Sequence, residues 1–368
     1  MQNRPIKVCF FSLDAYPLFD KSTAGVQGGA ELDTYMIATE LARDDRFEVH
    51  FITGDFGQPD IINIENVTIY KTVDLKSPFR SALSIWQVLK KADCDIYFKK
   101  GASLITALVA LFCRIRHKPF ILRTAQEIEC NGIYIRQSQL RGRAFLWTLR
   151  RAGRIFVQND SNKKHLEETT DISAVVIPNG HRIAAQSEQN RDYILWVGRS
   201  AAVKGPEFFI NLAQETPAEQ FVMICQEAGD DKTIIYSDLV ARAKTIANIK
   251  FIERVPFHEI DDFFQRAKVL VNTSRTEGFP NTFIQACKCG TPILSLNVNP
   301  DDFLAEYKCG LCAKGDWRSF KDMLQQLLKP KTALEYGNNG RQYALDNHDI
   351  TKIIEQYKTT FIQIIHGR

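Results

Sequence analysis

No stretch of this 368-residue sequence is apolar for long enough to span a bilayer. The longest, Ala102 to Cys113, holds about twelve residues against the roughly twenty that a crossing helix needs, and it reads as a buried helix. The opening run MQNRPIKVCFFSLDAYP lacks a secretory cleavage pattern and goes straight into a strand-like segment. The seven histidines form no H-x-x-H or H-E-x-x-H cluster, so nothing argues for a metalloenzyme. Net charge is scarce as well: +4 over the whole chain implies no general affinity for nucleic acid. There is no internal repeat and no low-complexity segment. Cysteine is present, nine residues at irregular spacing, which fits reduced thiols in a cytosolic protein. Cys287, Cys289, Cys309 and Cys312 offer four thiolates, but their spacing matches no common zinc module. Cys287 and Cys289 are instead expected to pack around a helix end.

What the chain does have is alternation. A hydrophobic content of 45% with 24% charged residues describes a globular protein too long for one ordinary core. Short β-branched and aromatic runs fall at 6–13, 47–52, 67–71, 95–98, 119–123, 154–157 and 174–177. Helical patterns separate them at 29–43, 79–91, 102–115, 138–152 and 159–169. After a polar stretch at 182–192, which reads as a linker, strands recur near 193–198, 220–224, 249–252, 268–272 and 292–295. Helices at 317–328, 331–346 and 350–365 close the chain. This is the signature of α/β units with parallel sheets. The expected organisation is two doubly wound domains, 1–182 and 193–346, facing a cleft, with 347–368 crossing back to the first. Ligands of such sheets bind beyond the carboxyl ends of the strands.

Two places in the second half carry candidate chemistry. YILWVGRS ends in Gly198-Arg199, and Lys204-Gly205 follows just before a helix with Pro206 in its first turn. A guanidinium fork and a compact ammonium suit one diphosphate. Each cation at about 4 Å from a phosphate charge contributes roughly 4 kcal/mol at an effective dielectric near 20, before desolvation. Taken alone, the pair fits two solvated surface cations equally well. The second place is SRTEGFPNTFIQACKCGTPILSL, residues 274–296. KVLVNTS reads as a buried strand, and RTEGFP as the turn at its carboxyl end. A helix then runs from about Asn281 to Lys288, whose N-terminus beside Thr282 suits phosphate. Glu277 lies one turn ahead, where a carboxylate can accept hydrogen bonds from sugar hydroxyls. Gln285, one turn past Asn281, offers an amide to a ribose hydroxyl. Either residue alone reads as a capping acid or an ordinary polar helix position.

EGFPNTFIQACKCGTPIL closely resembles the E-x7-E region of family 4 glycosyltransferases, which have the GT-B fold. GGAELDTYMIATELA (28–42), FVQNDSNKKHL (156–166), VIPNG (176–180) and VGRSAAVKGPEFFINLA (197–213) match in the same order, so the resemblance covers nearly the whole chain. NVNPDDFLAEYKCGL (297–311) also looks like members that build bacterial surface polysaccharides. The resemblance implies retaining transfer of a sugar from a nucleotide donor, UDP-sugars favoured, without bound metal or other cofactor. The acceptor it implies is a saccharide or lipid-linked saccharide. It gives Arg199 and Lys204 to the departing diphosphate, Glu277 to the donor sugar, and the amides of Gly278, Phe279, Pro280, Asn281 and Thr282 to donor oxygens or phosphate (Pro280 contributing no N–H). Gln285 takes the ribose, and the backbone at Arg254 and Val255 the base. Gly28 and Gly29 let the first-domain loop approach the phosphates and acceptor.

The sequence departs from that pattern twice. The second acid of the pair is Gln285, which keeps an acceptor oxygen and loses a charge. The first-domain histidine is absent, and FILRTAQEIEC offers Gln126 and Glu127 in its region, with the choice between them open. Asp93-Cys94-Asp95 has the form of a D-x-D metal signature but precedes a strand of the acceptor-side domain, so it is read as a strand-entrance turn. GVQGGAE lacks the spacing of a dinucleotide fingerprint. The rivals are a GT-B epimerase or phosphorylase, for which no constellation can be picked out, and a catalytically silent nucleotide-sugar binder.

Charge is unevenly spread. Residues 71–160 hold 17 Lys and Arg against 6 Asp and Glu, and no acid lies between Glu129 and Asp160. Arg136, Arg141, Arg143, Arg150, Arg151 and Arg154 alternate there with Phe145, Leu146, Trp147 and Leu149. Such a helix can lie on anionic lipid or turn its arginines to solvent or to an anionic acceptor. The expected location is the cytoplasm, peripherally at the inner face of the cytoplasmic membrane.

Overall fold

The computed structural model describes residues 4–23, 25, 28–72, 78–137, 139–184, 190–228 and 234–367. The chain divides into two compact units, Met1–Arg182 with Ile350–Arg368, and Ile183–Asp349. Both are doubly wound α/β folds of the Rossmann type.

The first unit is built on eight strands: β1 (Ile6–Phe11), β2 (Phe47–Thr53), β3 (Ile61–Ile64), β4 (Val67–Lys71), β5 (Ile96–Lys100), β6 (Phe120–Arg123), β7 (Arg154–Val157) and β8 (Val175–Val176). They lie in the order β3-β4-β2-β1-β5-β6-β7-β8, all parallel except the edge strand β3. Strands covered on both faces read as continuous apolar runs, because both sets of alternating side chains are buried. In β1, Cys9 and Phe11 face a core shared with helices Pro78–Ala92, Leu104–Ile115 and Gln139–Arg151. On the other face Phe10 packs on Phe51 and Phe98, and Phe98 and Phe156 meet Tyr357 of the last helix, Ile350–His366. That helix lies against helix Gly29–Leu41.

The second unit has six parallel strands: β9 (Tyr193–Arg199), β10 (Phe221–Gln226), β11 (Ile249–Ile252), β12 (Ala267–Asn272), β13 (Ile293–Ser295) and β14 (Gly310–Cys312). Their order is β11-β10-β9-β12-β13-β14, so the winding reverses between β9 and β12. One face buries Ile194 and Trp196 with Phe209 and Phe320, the other Tyr193 and Leu195 with Phe283 and Phe303.

Two strands had no sequence signal. β3 and β4 form a hairpin whose two loop residues, Glu65 and Asn66, take φ of 52° and 62°. Such turns favour Asn-Gly, so Glu-Asn hides the hairpin. β14 begins at Gly310, where a Cβ would meet the Ile293 carbonyl oxygen at 2.4 Å. The glycine that weakens the strand pattern is what lets the two backbones approach. Of the predicted linker, 185–189 lie outside the described residues, while Arg191 belongs firmly to the second unit. It donates to the carbonyls of Ala267 (2.6 Å), Cys289 (3.0 Å) and Gly290 (2.8 Å) and to Thr291 Oγ1 (2.8 Å).

Candidate functional site

In an open parallel sheet the strands flanking the reversal send their following loops to opposite faces, which opens a crevice at their carboxyl ends. In the second unit those strands are β9 and β12. Arg199 is the last residue of β9 and Lys204 closes the turn after it, while Glu277 sits in the loop after β12. The sequence pattern pairs Arg199 with Lys204 and sets Glu277 apart; the fold brings Lys204 and Glu277 into contact. Lys204 Nζ lies 2.6 Å from Glu277 Oε2. Glu277 Oε1 accepts from Ser274 Oγ (2.6 Å) and Asn272 Nδ2 (3.1 Å). An ionised carboxylate has about four acceptor sites and an ammonium three donors, so each partner keeps capacity for a ligand. Both stay within reach of solvent, at 25% and 15% exposure. Burial pushes the Glu277 carboxyl up, but the Lys204 charge and the three hydrogen bonds outweigh it and hold its pKa below the ordinary glutamate value.

The loops are braced from below. Trp196 Nε1 donates to Thr273 Oγ1 (2.9 Å), and that hydroxyl donates to the Lys204 carbonyl (2.8 Å). Arg275 N donates to the Val203 carbonyl (2.8 Å), tying the loop after β12 to the turn after β9. Gly205 is left-handed at φ 57°, and a Cβ there would stand 2.8 Å from the Thr273 carbonyl oxygen. Only glycine lets Lys204 end a turn and Pro206 begin the helix Pro206–Glu215 so close to β12. None of this bracing was visible in the sequence.

Gly278, Phe279 and Pro280 are buried and lead into helix Asn281–Lys288, whose first residues Asn281 and Thr282 are half-buried. The positive end of the helix therefore opens beside Glu277. Gln285 lies one turn past Asn281 at 5% exposure, deeper than a rim residue. Arg254 and Val255 follow β11, at the same end of the sheet but two strands from β9. A cavity of about 800 Å³ lies at the carboxyl ends of β10 and β11, lined by Glu227, Tyr236, Lys244 and Glu253. Its lining includes Glu253, next to Arg254, but neither Arg254 nor Val255 and none of the residues around Glu277.

In the first unit, Gly28 N donates to Glu31 Oε2 (2.8 Å) at the start of helix Gly29–Leu41, in the loop after β1. Residues 24, 26 and 27 of that loop lie outside the described residues. Gln126 is exposed and Glu127 half-buried, both beyond the carboxyl end of β6, and Glu127 stands 4.0 Å from His165 Nδ1. The residue that organises this corner is Glu129, which accepts from Ala102 N (3.0 Å) and Ala125 N (2.8 Å). Burial pushes its carboxyl up despite those two donors.

The sequence also gave no warning of a buried ion cluster beneath. Asp33 Oδ2 takes Lys100 Nζ at 2.6 Å and Arg123 Nε at 2.7 Å. Arg123 continues to the Ile177 carbonyl (2.8 Å) and to Asn179 Oδ1 (2.6 Å), and its guanidinium lies 6.0 Å from the Tyr357 ring. Asp33 and Arg123 are fully enclosed and Lys100 nearly so. The D-x-D stretch is structural: Asp95 accepts from Lys7 N (2.9 Å) and Arg4 (2.8 Å) at the amino end of β5, away from the ligand end of the sheet. Among the described residues no group of three or more His, Cys, Asp or Glu is placed to hold a metal. Cys287 is pushed up by its hydrogen bond with Cys309 and by burial, and Cys289 ends helix Asn281–Lys288.

Residues 181–343, less than half of the chain, match the family model described as glycosyl transferases group 1. An uncharacterized glycosyltransferase of Methanocaldococcus jannaschii is 22% identical over 215 residues, 57% of this chain and 60% of that protein. The chain thus spans under two thirds of that relative. An uncharacterized glycosyltransferase of Haemophilus influenzae is 24% identical over 91% of this chain and 96% of its own length. Among solved structures, sucrose-phosphate synthase from Thermosynechococcus elongatus superposes with TM-score 0.79 at 16% identity, covering 99% of this chain and 100% of that one. The Anabaena protein HepE in complex with UDP-glucose gives 0.75 at 16% identity over 97% and 100%. WaaG, a glycosyltransferase involved in lipopolysaccharide biosynthesis, gives 0.69 at 15% identity over 98% and 100%. The two Rossmann-like units are those of GT-B glycosyltransferase structures.

Proposed function

We propose, from the group 1 glycosyl transferase domain in residues 181–343, that this chain is a retaining family 4 glycosyltransferase that needs no metal. Its donor is a nucleoside diphosphate sugar, UDP-linked by preference, and its acceptor a saccharide or lipid-linked saccharide in surface polysaccharide assembly. The observation that carries the reading is the Lys204–Glu277 pair at the β9/β12 reversal, with Arg199 at the end of β9. In this reading the remaining donors of Lys204 and the guanidinium of Arg199 meet the diphosphate. Charge develops on that group as the sugar leaves, and preorganised cations stabilise it there. Glu277, kept ionised by Lys204, holds a sugar hydroxyl with its unused acceptor site. The start of helix Asn281–Lys288 takes donor oxygens, Gln285 the ribose, and the backbone at Arg254 and Val255 the base. Gly28 and Gly29 are assigned to the phosphate and acceptor side, and Gln126 or Glu127 to the acceptor sugar. HepE with its UDP-glucose and WaaG with its role in lipopolysaccharide biosynthesis support the donor and pathway classes. The enzyme is placed in the cytoplasm at the inner membrane face, with Arg136–Arg154 toward anionic lipid.

A thermal-shift screen over nucleoside diphosphates and their sugars tests this. A ligand at a hundred times its dissociation constant stabilises by roughly 2.7 kcal/mol. Uridine diphosphate and at least one UDP-sugar are expected to raise the midpoint, with release of the diphosphate when acceptor is added. No shift with any nucleotide overturns the reading, and a shift without turnover on any acceptor leaves a silent binder.

A further inference from the structure

Side chains along a parallel strand alternate between the two faces of its sheet. In β9, Tyr193, Leu195 and Val197 face the layer that holds Phe279 and Phe283, and in β10 Val222 and Ile224 face the same layer. Two residues further on, Arg199 and Gln226 continue those two rows and end their strands, as partners in the β9–β10 register. Val255, in the chain after β11, packs against that layer too. The carboxyl edge of this face therefore carries Arg199, Gln226 and Val255 in the order of β9, β10 and β11. Gln226 is half-buried, and its Oε1 is covered with no hydrogen-bond partner among the described residues. Its backbone is held in place: the Gln226 carbonyl accepts from Ser200 N (2.8 Å), and Ser200 Oγ accepts from Ala228 N (3.0 Å). Glu227, the next residue, lines the cavity with Tyr236, which packs on the opposite layer, so Gln226 stands apart from that cavity.

The geometry points to Gln226 as a ribose ligand for the nucleotide donor. This rests on the proposed function, which lays the diphosphate at Arg199 and the base at Arg254 and Val255. Neighbouring strands lie about 4.8 Å apart, so a nucleotide stretched from the end of β9 to the end of β11 has its ribose over the end of β10. Gln226 is the side chain that β10 presents there on that face. A carboxamide has two acceptor sites and two donors, and each ribose hydroxyl can donate and accept. The last torsion of a glutamine is soft and roughly two-fold, so the amide can turn its covered oxygen toward a ligand. An unpartnered amide oxygen bears a desolvation cost, which a ligand hydroxyl relieves. Gln285, assigned to the ribose above, belongs to helix Asn281–Lys288 of the facing layer. The ribose has two vicinal hydroxyls, and the two amides take one each, Gln226 from the sheet and Gln285 from the helix.

Calorimetric titration of the full-length wild type and Gln226→Leu with uridine diphosphate and with its 2′-deoxy and 3′-deoxy forms tests this. One of the two deoxy forms is expected to bind the wild type about ten-fold more weakly than uridine diphosphate does. Gln226→Leu should bind uridine diphosphate about ten-fold more weakly and should no longer distinguish it from that deoxy form. Urea unfolding of the variant should show equal or higher stability, because the substitution removes a covered polar atom that has no partner. Lowered stability with the ribose selectivity intact overturns the inference and makes Gln226 a structural residue. Undiminished binding of uridine diphosphate overturns it too, as does an equal loss for all three ligands, which would set the amide against the base or the phosphates. In each of those cases the wild type still binds nucleotide and the proposed function stands, whereas a wild type that binds none overturns both.

Discussion

The two units each hold a lysine–carboxylate pair at 2.6 Å near the carboxyl ends of their strands, and the pairs sit in different settings. Lys100 and Asp33 are sealed, share Arg123, and join helix Gly29–Leu41 to the ends of β5 and β6. Lys204 and Glu277 are partly open to solvent and lie at a reversal of strand order, with spare donors and acceptor sites. Contact geometry alone therefore does not mark a functional site. Solvent access and position in the topology are what set the Lys204–Glu277 pair apart from a sealed one, and they are why the proposed function rests on it.

The sharpest way to break that distinction is Arg123→Met. Removing one partner from a buried ion cluster costs about 3–5 kcal/mol, because Asp33 keeps only Lys100 against its charge. Urea unfolding should show the loss, and a change under about 1 kcal/mol would mean the cluster is not a fastener. Lys204→Met should behave in the opposite way, lowering kcat by about 10²–10³ while stability moves by no more than about 1 kcal/mol. A collapse of stability with normal turnover would erase the contrast. Gly205→Ala should come next, costing about 1–2 kcal/mol for its left-handed backbone, with weaker donor binding as Lys204 is displaced. Unchanged donor affinity in that variant would detach the turn from the site.

The smallest effect is in the pH dependence. The Glu277 pKa is held below its unfolded value, so its stabilisation is present above about pH 4.3 and is lost as the pH falls through the folded value. The stability difference between the wild type and Glu277→Gln should therefore be level from neutral pH to about 5 and shrink below that. A difference that grows on acidification would mean that the carboxyl is not held ionised by Lys204.

Much of the frame was legible because buried parallel strands and amphipathic helices carry strong, local signals. Helix Asn281–Lys288 and the strands at 67–71, 154–157 and 249–252 appear where the patterns placed them. β3 and β14 escaped because their evidence is a backbone conformation at Glu65-Asn66 and a close approach at Gly310, neither of which alters hydrophobic periodicity. The residues of the candidate site were legible one at a time. Their pairing was not, since Lys204 and Glu277 stand 73 positions apart and meet only because β9 and β12 are neighbours. Asp33, Lys100 and Arg123 were invisible for the same reason. Helix Leu104–Ile115 leaves Leu104, Leu111 and Ile115 exposed, and this was misread because a helix apolar on all sides looks buried until its neighbours are known.

On the proposed function, the part-open pair at the β9/β12 reversal is where a nucleotide sugar is bound and broken. Release of nucleoside diphosphate from the UDP-sugar that most stabilises the wild type, compared with Glu277→Ala under the same conditions, tests it most directly. Turnover is expected in the wild type and a loss of about 100-fold or more in the variant, with its unfolding midpoint little changed. Near-normal turnover by a folded Glu277→Ala protein would contradict it.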